Sequence, residues 1–281
     1  MDHVKTANWY HRYNASRCTR KPLEPKANGN LNALIQLLVA AIPIGYIFCL
    51  ERKTSRIRLL VVLDPHKHLS FDEIENFINL AMLGFPDIKI TYHAYGSIYD
   101  LLIKGHIFFS AVCKPQNCLY KKYTLAWLPK MSSDRQVAAI ERALTLFKYN
   151  IGKVEHFLNG VEYCLQNSQS EMAAFMLHQA CEQTYRLMLL IFRGREYKSH
   201  DLKGLKNHLN HYIIGLTGIF DPSNKKENLL LDILQEAYIK ARYDHTYYME
   251  KHLVIFFQEK TKLLIEKTKD IIYDCLYNII M

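Results

Sequence analysis

The chain has 281 residues, of which 49% are hydrophobic and 22% charged, a composition that excludes an intrinsically disordered protein. It is long enough for two domains of ordinary size, each with its own core. The formal net charge of +9 favours acidic partners such as nucleic acid, nucleotides or anionic surfaces, unless the excess is spread as a solvated face.

Seven cysteines run from Cys18 to Cys275 without a framework spacing, which suits free thiols in a reducing cytoplasm. Cys113 and Cys118 lie near His106, but no second ligand pair stands at a zinc-site spacing, so neither metal nor cofactor is expected.

Residues 1–29 are polar and aromatic, with Trp9, Tyr10 and Tyr13, and end in a turn and cap signal, Asn28-Gly29-Asn30. The basic lead-in from Arg12 to Lys26 is too long and mixed for a signal peptide. Leu31–Leu50 is the one candidate membrane segment, but Asn32, Gln36, Pro43 and Gly45 interrupt it. Leu31, Leu34, Ile35, Leu38, Val39 and Ile42 make a helical stripe, Pro43 stops it, and Tyr46–Leu50 reads as a strand, so no membrane span is expected. Arg58–Leu63 has the continuous apolar character of a buried strand.

Ser70-Phe71-Asp72-Glu73 is a capping box for a helix reaching about Leu83, before Gly84 and Pro86. Ile88–Tyr92 and Ile107–Val112 read as further strands, with a short helix at Ser97–Lys104 between them. Residues 30–130 are thus expected to form a small α/β domain, a mixed sheet with helices, ending near Leu128.

Beyond Pro129–Asp134 no strand is expected. Val137, Ile140, Leu144, Phe147, Ile151, Val154, Leu158, Val161 and Leu165 share one helical stripe. It can be one long helix of a bundle or a coiled-coil seam to a partner; flanking helices able to cover it favour the bundle. Further helices are expected at Glu171–Phe192, His200–Leu209 and Glu227–Ala241, the last burying Leu230, Leu234, Ala237, Tyr238 and Ala241. A final helix carries Phe257, Leu264, Ile271, Ile272, Cys275 and Ile279. Residues 131–281 are therefore read as an all-α up-and-down bundle.

Three motifs stand in order in this second half: His178-Gln179-Ala180-Cys181-Glu182, Ser199-His200-Asp201-Leu202, and Ala241-Arg242-Tyr243-Asp244-His245. His178 and Glu182 are four residues apart on one helix face and could hydrogen bond. Ser199 is a candidate cap, Asp201 sits at the positive end of its helix, and Arg242 brings a phosphate-binding fork with Asp244 and His245. Each also has a structural reading, as a buried pair or a simple cap.

The combination resembles the HEPN family, which implies a helical domain binding a nucleotide or RNA at His178, Glu182, His200, Asp201, Arg242, Asp244 and His245, and a homodimer through the bundle. Many HEPN proteins are ribonucleases with an Arg followed about four to six residues later by a His. Here Tyr243 follows Arg242, His245 comes too early and His252 too late; Arg195 to His200 has the spacing but straddles a loop.

The first half resembles a nucleotidyltransferase, a family with a Gly-Ser turn after its first strand and an Asp-x-Asp on the next. Leu50-Glu51 stands in place of the turn, and Arg56 and Arg58 stand in place of the acids. Arginines cannot hold magnesium, so the resemblance implies a pseudoenzyme whose cleft binds an anion at Arg56 and Arg58. The expected function is non-catalytic nucleotide or RNA binding; the alternatives are a toxin-type ribonuclease and an oligomerisation module.

Overall fold

The computed structural model describes residues 25–53, 56–67, 69–194, 196–213, 216, 218–221 and 224–280. Trp9, Tyr10, Tyr13, Cys18 and Arg195 lie outside them.

Helix α1 (Pro25–Ala41) opens on a proline, whose fixed φ and missing N–H suit the first helical position. Asn28-Gly29-Asn30 therefore lies inside the first turns of α1 instead of capping it. Pro43 ends the helix, and β1 (Ile44–Lys53) forms an antiparallel hairpin with β2 (Arg56–Leu63). β1 continues through Leu50 and Glu51, with a register irregularity at Leu50, so these are strand residues and the reversal comes only after Lys53. No helix among the described residues is long and apolar enough to cross a membrane.

The capping box folds as the sequence predicts. Ser70 Oγ accepts from Glu73 N at 3.2 Å and the Glu73 carboxylate accepts from Ser70 N at 2.9 Å, starting α2 (Phe71–Leu83). β3 (Ile88–His93) then pairs parallel to β2, and α3 (Tyr95–Ile103) follows.

Ile107–Val112 is not a strand but a short helix, α4. Ile107, Phe108, Phe109, Ala111 and Val112 are all buried, so every side of the segment is covered and its pattern carries no period to separate helix from strand. The remaining strand is β4 (Cys118–Lys121), unforeseen in the sequence, which pairs antiparallel to β1 and gives the sheet order β3-β2-β1-β4.

The sheet sorts its side chains by alternation. Ile47, Ile57, Leu59, Val61, Ile88 and Ile90 face α1 and α2 in one core. Tyr46, Phe48, Leu60 and Val62 face the other way, into a core continuous with the helical half. Each half therefore does not bury a wholly separate core: α4 packs against both, with Phe108 edge-on to Phe192 at 5.0 Å.

The second half comprises α5 (Ser133–Gln166), α6 (Ser170–Arg193), α7 (Leu202–Leu209), α8 (Lys225–Tyr243) and α9 (Lys251–Ile280). The predicted stripe of α5 holds from Phe147 onward, where Ile151, Val154 and Val161 are buried against its neighbours. Nearer the N-terminus Ala139 and Ala143 take the buried face and Val137 is 57% exposed, because small residues let the helices approach there. On α8 the buried residues are Leu231, Leu234 and Ala237, one position around from the expected Leu230.

Candidate nucleotide site at one end of the helical half

α6 carries His178 and Glu182 fully inside the fold, at 0% and 1% exposure. Burying an imidazole and a carboxylate is tolerated only when their polar atoms are bonded, and here they are. His178 Nε2 donates to the His200 carbonyl at 3.2 Å, and Gln179 Nε2 donates to His178 Nδ1 at 3.3 Å. These partners assign the neutral tautomer with the proton on Nε2. Burial, only partly opposed by the Glu182 charge, pushes the His178 pKa down to about 4.

The predicted His178–Glu182 hydrogen bond does not form: Nδ1 and Oε2 are 3.9 Å apart. The reason is competition. Glu182 Oε2 instead accepts from His200 Nδ1 at 2.9 Å, and Oε1 accepts from Arg186 Nη1 at 3.1 Å. Arg186 in turn pairs with Glu196, so the buried carboxylate is tied to the loop that leads into α7.

That loop closes differently from its sequence reading. α7 begins at Leu202, and its N-cap is Asp201, which accepts from Lys203 N at 3.0 Å. Ser199 acts one step earlier, accepting from Asp201 N at 3.1 Å. Gly204 makes this cap possible, since a Cβ there would lie 2.4 Å from Asp201 Oδ2. Asp201 is thereby committed to the helix end.

α8 supplies two residues that sequence reasoning missed as site groups. Gln235 donates to the His200 carbonyl at 3.0 Å and accepts from Leu202 N at 2.8 Å, clamping the start of α7. The Tyr238 ring stacks with His178 at 4.8 Å and with His200 at 4.7 Å, both near-parallel. Tyr238 is legible only as a core position in the helical pattern. Arg186 had a visible signal, its place four residues after Glu182.

Arg242 lies one turn beyond Tyr238. Its Nε donates to the Tyr238 carbonyl at 2.8 Å, and its guanidinium stands 4.4 Å from the Tyr238 ring centroid and 5.1 Å from that of Phe175. Among the described residues no carboxylate pairs with it. The structure thus brings His178, Glu182, His200 and Arg242 together around Tyr238.

Asp244 and His245 are not drawn in. Asp244 caps the turn after α8, accepting from Thr246 N at 2.9 Å and Thr246 Oγ1 at 2.7 Å, and these bonds hold its pKa below the usual carboxylate range. His245 is exposed in that turn, and His252, also exposed, pairs with Glu250 at 2.9 Å.

In the first half, Arg58 is buried at 7% exposure and faces the helical half, alternating with Leu60 and Val62; Arg56, by the same alternation, shares that face. A cavity of about 380 Å³ between α4 and the end of α9, lined by Phe108, Lys114, Phe192 and Cys275, shares no residue with either cluster.

No curated relative matches the chain. Among solved structures it is similar to a nucleotidyltransferase-like protein from Exiguobacterium sibiricum 255-15, at 12% identity, with 84% of this chain and 88% of that chain covered and a TM-score of 0.23. Residues 148–276, within the helical half, match the family model described as the HEPN domain.

Proposed function

We propose that the protein is a non-catalytic nucleotide- or RNA-binding protein of the cytoplasm, taking its ligand at the α6–α7–α8 end of the helical half. One observation carries this reading: Arg242 lies across Tyr238 and Phe175 with no acidic partner among the described residues, and the exposed His200 stacks on the same Tyr238. A guanidinium over aromatic rings at a surface offers a nucleotide both a stacking plane and a phosphate donor. The buried Glu182 and His178 hold His200 and Tyr238 in place and are positioning residues.

Binding fits better than cleavage, because Asp201 and Asp244 are spent on caps, His252 pairs with Glu250, and among the described residues no hydrogen bond joins Arg242 to His245 or His252. In the first half, replacement of the two metal-binding acids by Arg56 and Arg58 supports a degenerate nucleotidyltransferase. Ile255, Phe256 and Leu263 on α9, each more than 40% exposed, support a homodimer through the helical half.

Fluorescence anisotropy with a labelled single-stranded RNA, comparing wild type and Arg242→Ala, tests the reading. Saturable binding by the wild type, weakened about tenfold or more in the variant, is expected. Equal affinity of the two proteins, or cleavage that Arg242→Ala abolishes, overturns it.

A further inference from the structure

Two large aromatic rings of the first half lie open to solvent, Trp127 at 50% exposure and Tyr99 at 41%. Single exposed rings are ordinary, but these two are the outer members of one packed set. Phe48, Tyr46, Tyr95 and Tyr99 follow one another near-parallel, with ring centroids 5.7, 6.4 and 5.9 Å apart. Phe48 and Tyr46 are buried on β1, while Tyr95 and Tyr99, four residues apart, share one face of α3. The row starts in the core and ends on an open ring.

Trp127 stands off the same Tyr46, their ring centroids 6.4 Å apart. The loop that carries it is tied down, because the Tyr46 hydroxyl donates to the Ala126 carbonyl. Antiparallel pairing sets Lys121 of β4 opposite Tyr46, and the Lys121 ammonium lies 5.6 Å from the Trp127 ring centroid. Lys122 is spent on Asp64, but Lys121 has no carboxylate partner among the described residues; its Nζ donates to the Lys122 carbonyl at 3.3 Å. Asp100, the acid of α3, is carried about 100° around the helix from Tyr99.

We propose that Tyr99 and Trp127 form a platform on which bases of a single-stranded nucleic acid stack, with Lys121 meeting an adjoining phosphate. Stacking needs a free base face, which a single strand presents and a duplex hides. Both rings are already held by the Tyr46 row, so little ordering is required when the ligand arrives. The cation decides between ligands: lysine is depleted from protein interfaces, but suits the phosphate beside a stacked base. The platform rests on the nucleic-acid reading for the class of its ligand, narrows that class to single strands, and shares no residue with the Arg242 site.

The test uses the full chain carrying Trp9→Phe, which leaves Trp127 the sole tryptophan. Its emission is titrated with single-stranded oligouridylate, with the same strand paired to oligoadenylate, and with inorganic polyphosphate. The single strand should quench Trp127 saturably; the duplex and the base-free polyanion should not. By anisotropy of labelled oligouridylate, Trp127→Ala and Tyr99→Ala should each weaken binding about tenfold. Tyr163→Ala, which removes an exposed ring of α5, should leave binding unchanged. If Trp127→Ala does not fold, Tyr99→Ala and the quenching decide. Absence of quenching, equal quenching by duplex or polyphosphate, or full affinity in Tyr99→Ala overturns the platform. Emission that follows protein concentration and ignores RNA overturns it too, and assigns the rings to a protein contact. Quenching that persists while Arg242→Ala leaves RNA affinity unchanged overturns the Arg242 site alone.

Discussion

The two sides of the Tyr238 ring cluster differ in what their polar groups are left free to do. Inside, His178 and Glu182 are withdrawn from solvent and bonded to Gln179, Arg186 and His200. Outside, Arg242 rests on aromatic rings with no carboxylate partner among the described residues, and His200 shows 57% of its side chain to solvent while its Nδ1 is held by Glu182. The contrast separates two tasks within one set of motif residues. In the proposed function the interior fixes position and the exterior would meet the ligand.

The largest way to break this contrast is to remove the interior carboxylate. Glu182→Ala would leave Arg186 only its Glu196 partner and release His200, and should cost about 2–4 kcal/mol in chemical denaturation. A change under 0.5 kcal/mol would mean that the network does not hold the fold.

Acid gives the next effect. Burial pushes the pKa of both His178 and His106 down to about 4, so between that value and the ordinary 6.5 the unfolded chain binds more protons than the folded one. Stability should therefore be full above pH 6.5 and fall as the pH drops toward 4, by about 1.4 kcal/mol per pH unit for each group. His178→Gln should flatten the slope, and an unchanged slope would contradict the buried neutral imidazole.

Asp201→Ala removes the α7 cap and should cost about 1 kcal/mol. Arg242→Ala should change stability by less than about 0.5 kcal/mol, the ordinary range for an exposed side chain, while weakening RNA binding. If it instead unfolds the protein as Glu182→Ala does, the division between scaffold and contact disappears.

Much of this fold was legible because its signals are local. The Ser70–Glu73 box, the Pro43 stop and the stripe from Phe147 to Val161 each work through neighbours in sequence. Ile107–Val112 misled because burial on every side erases the period, and β4 was missed because Cys118–Lys121 is short and half-buried along its length. In the site, the motifs located His178, Glu182, His200 and Arg242, but not who bonds whom. Glu182 chose His200 and Arg186 over His178 through contacts reaching 18 residues along the chain, which helical spacing alone cannot reveal. Gln235 and Tyr238 became site residues only when α8 packed on α6.

Hydrogen–deuterium exchange of the full chain, with and without a saturating single-stranded RNA, tests the central claim most directly. Peptides covering residues 199–203 and 238–246 should gain protection on binding, while those confined to 177–183 should exchange as slowly as before. RNA binding with no protection at 238–246 would contradict the account.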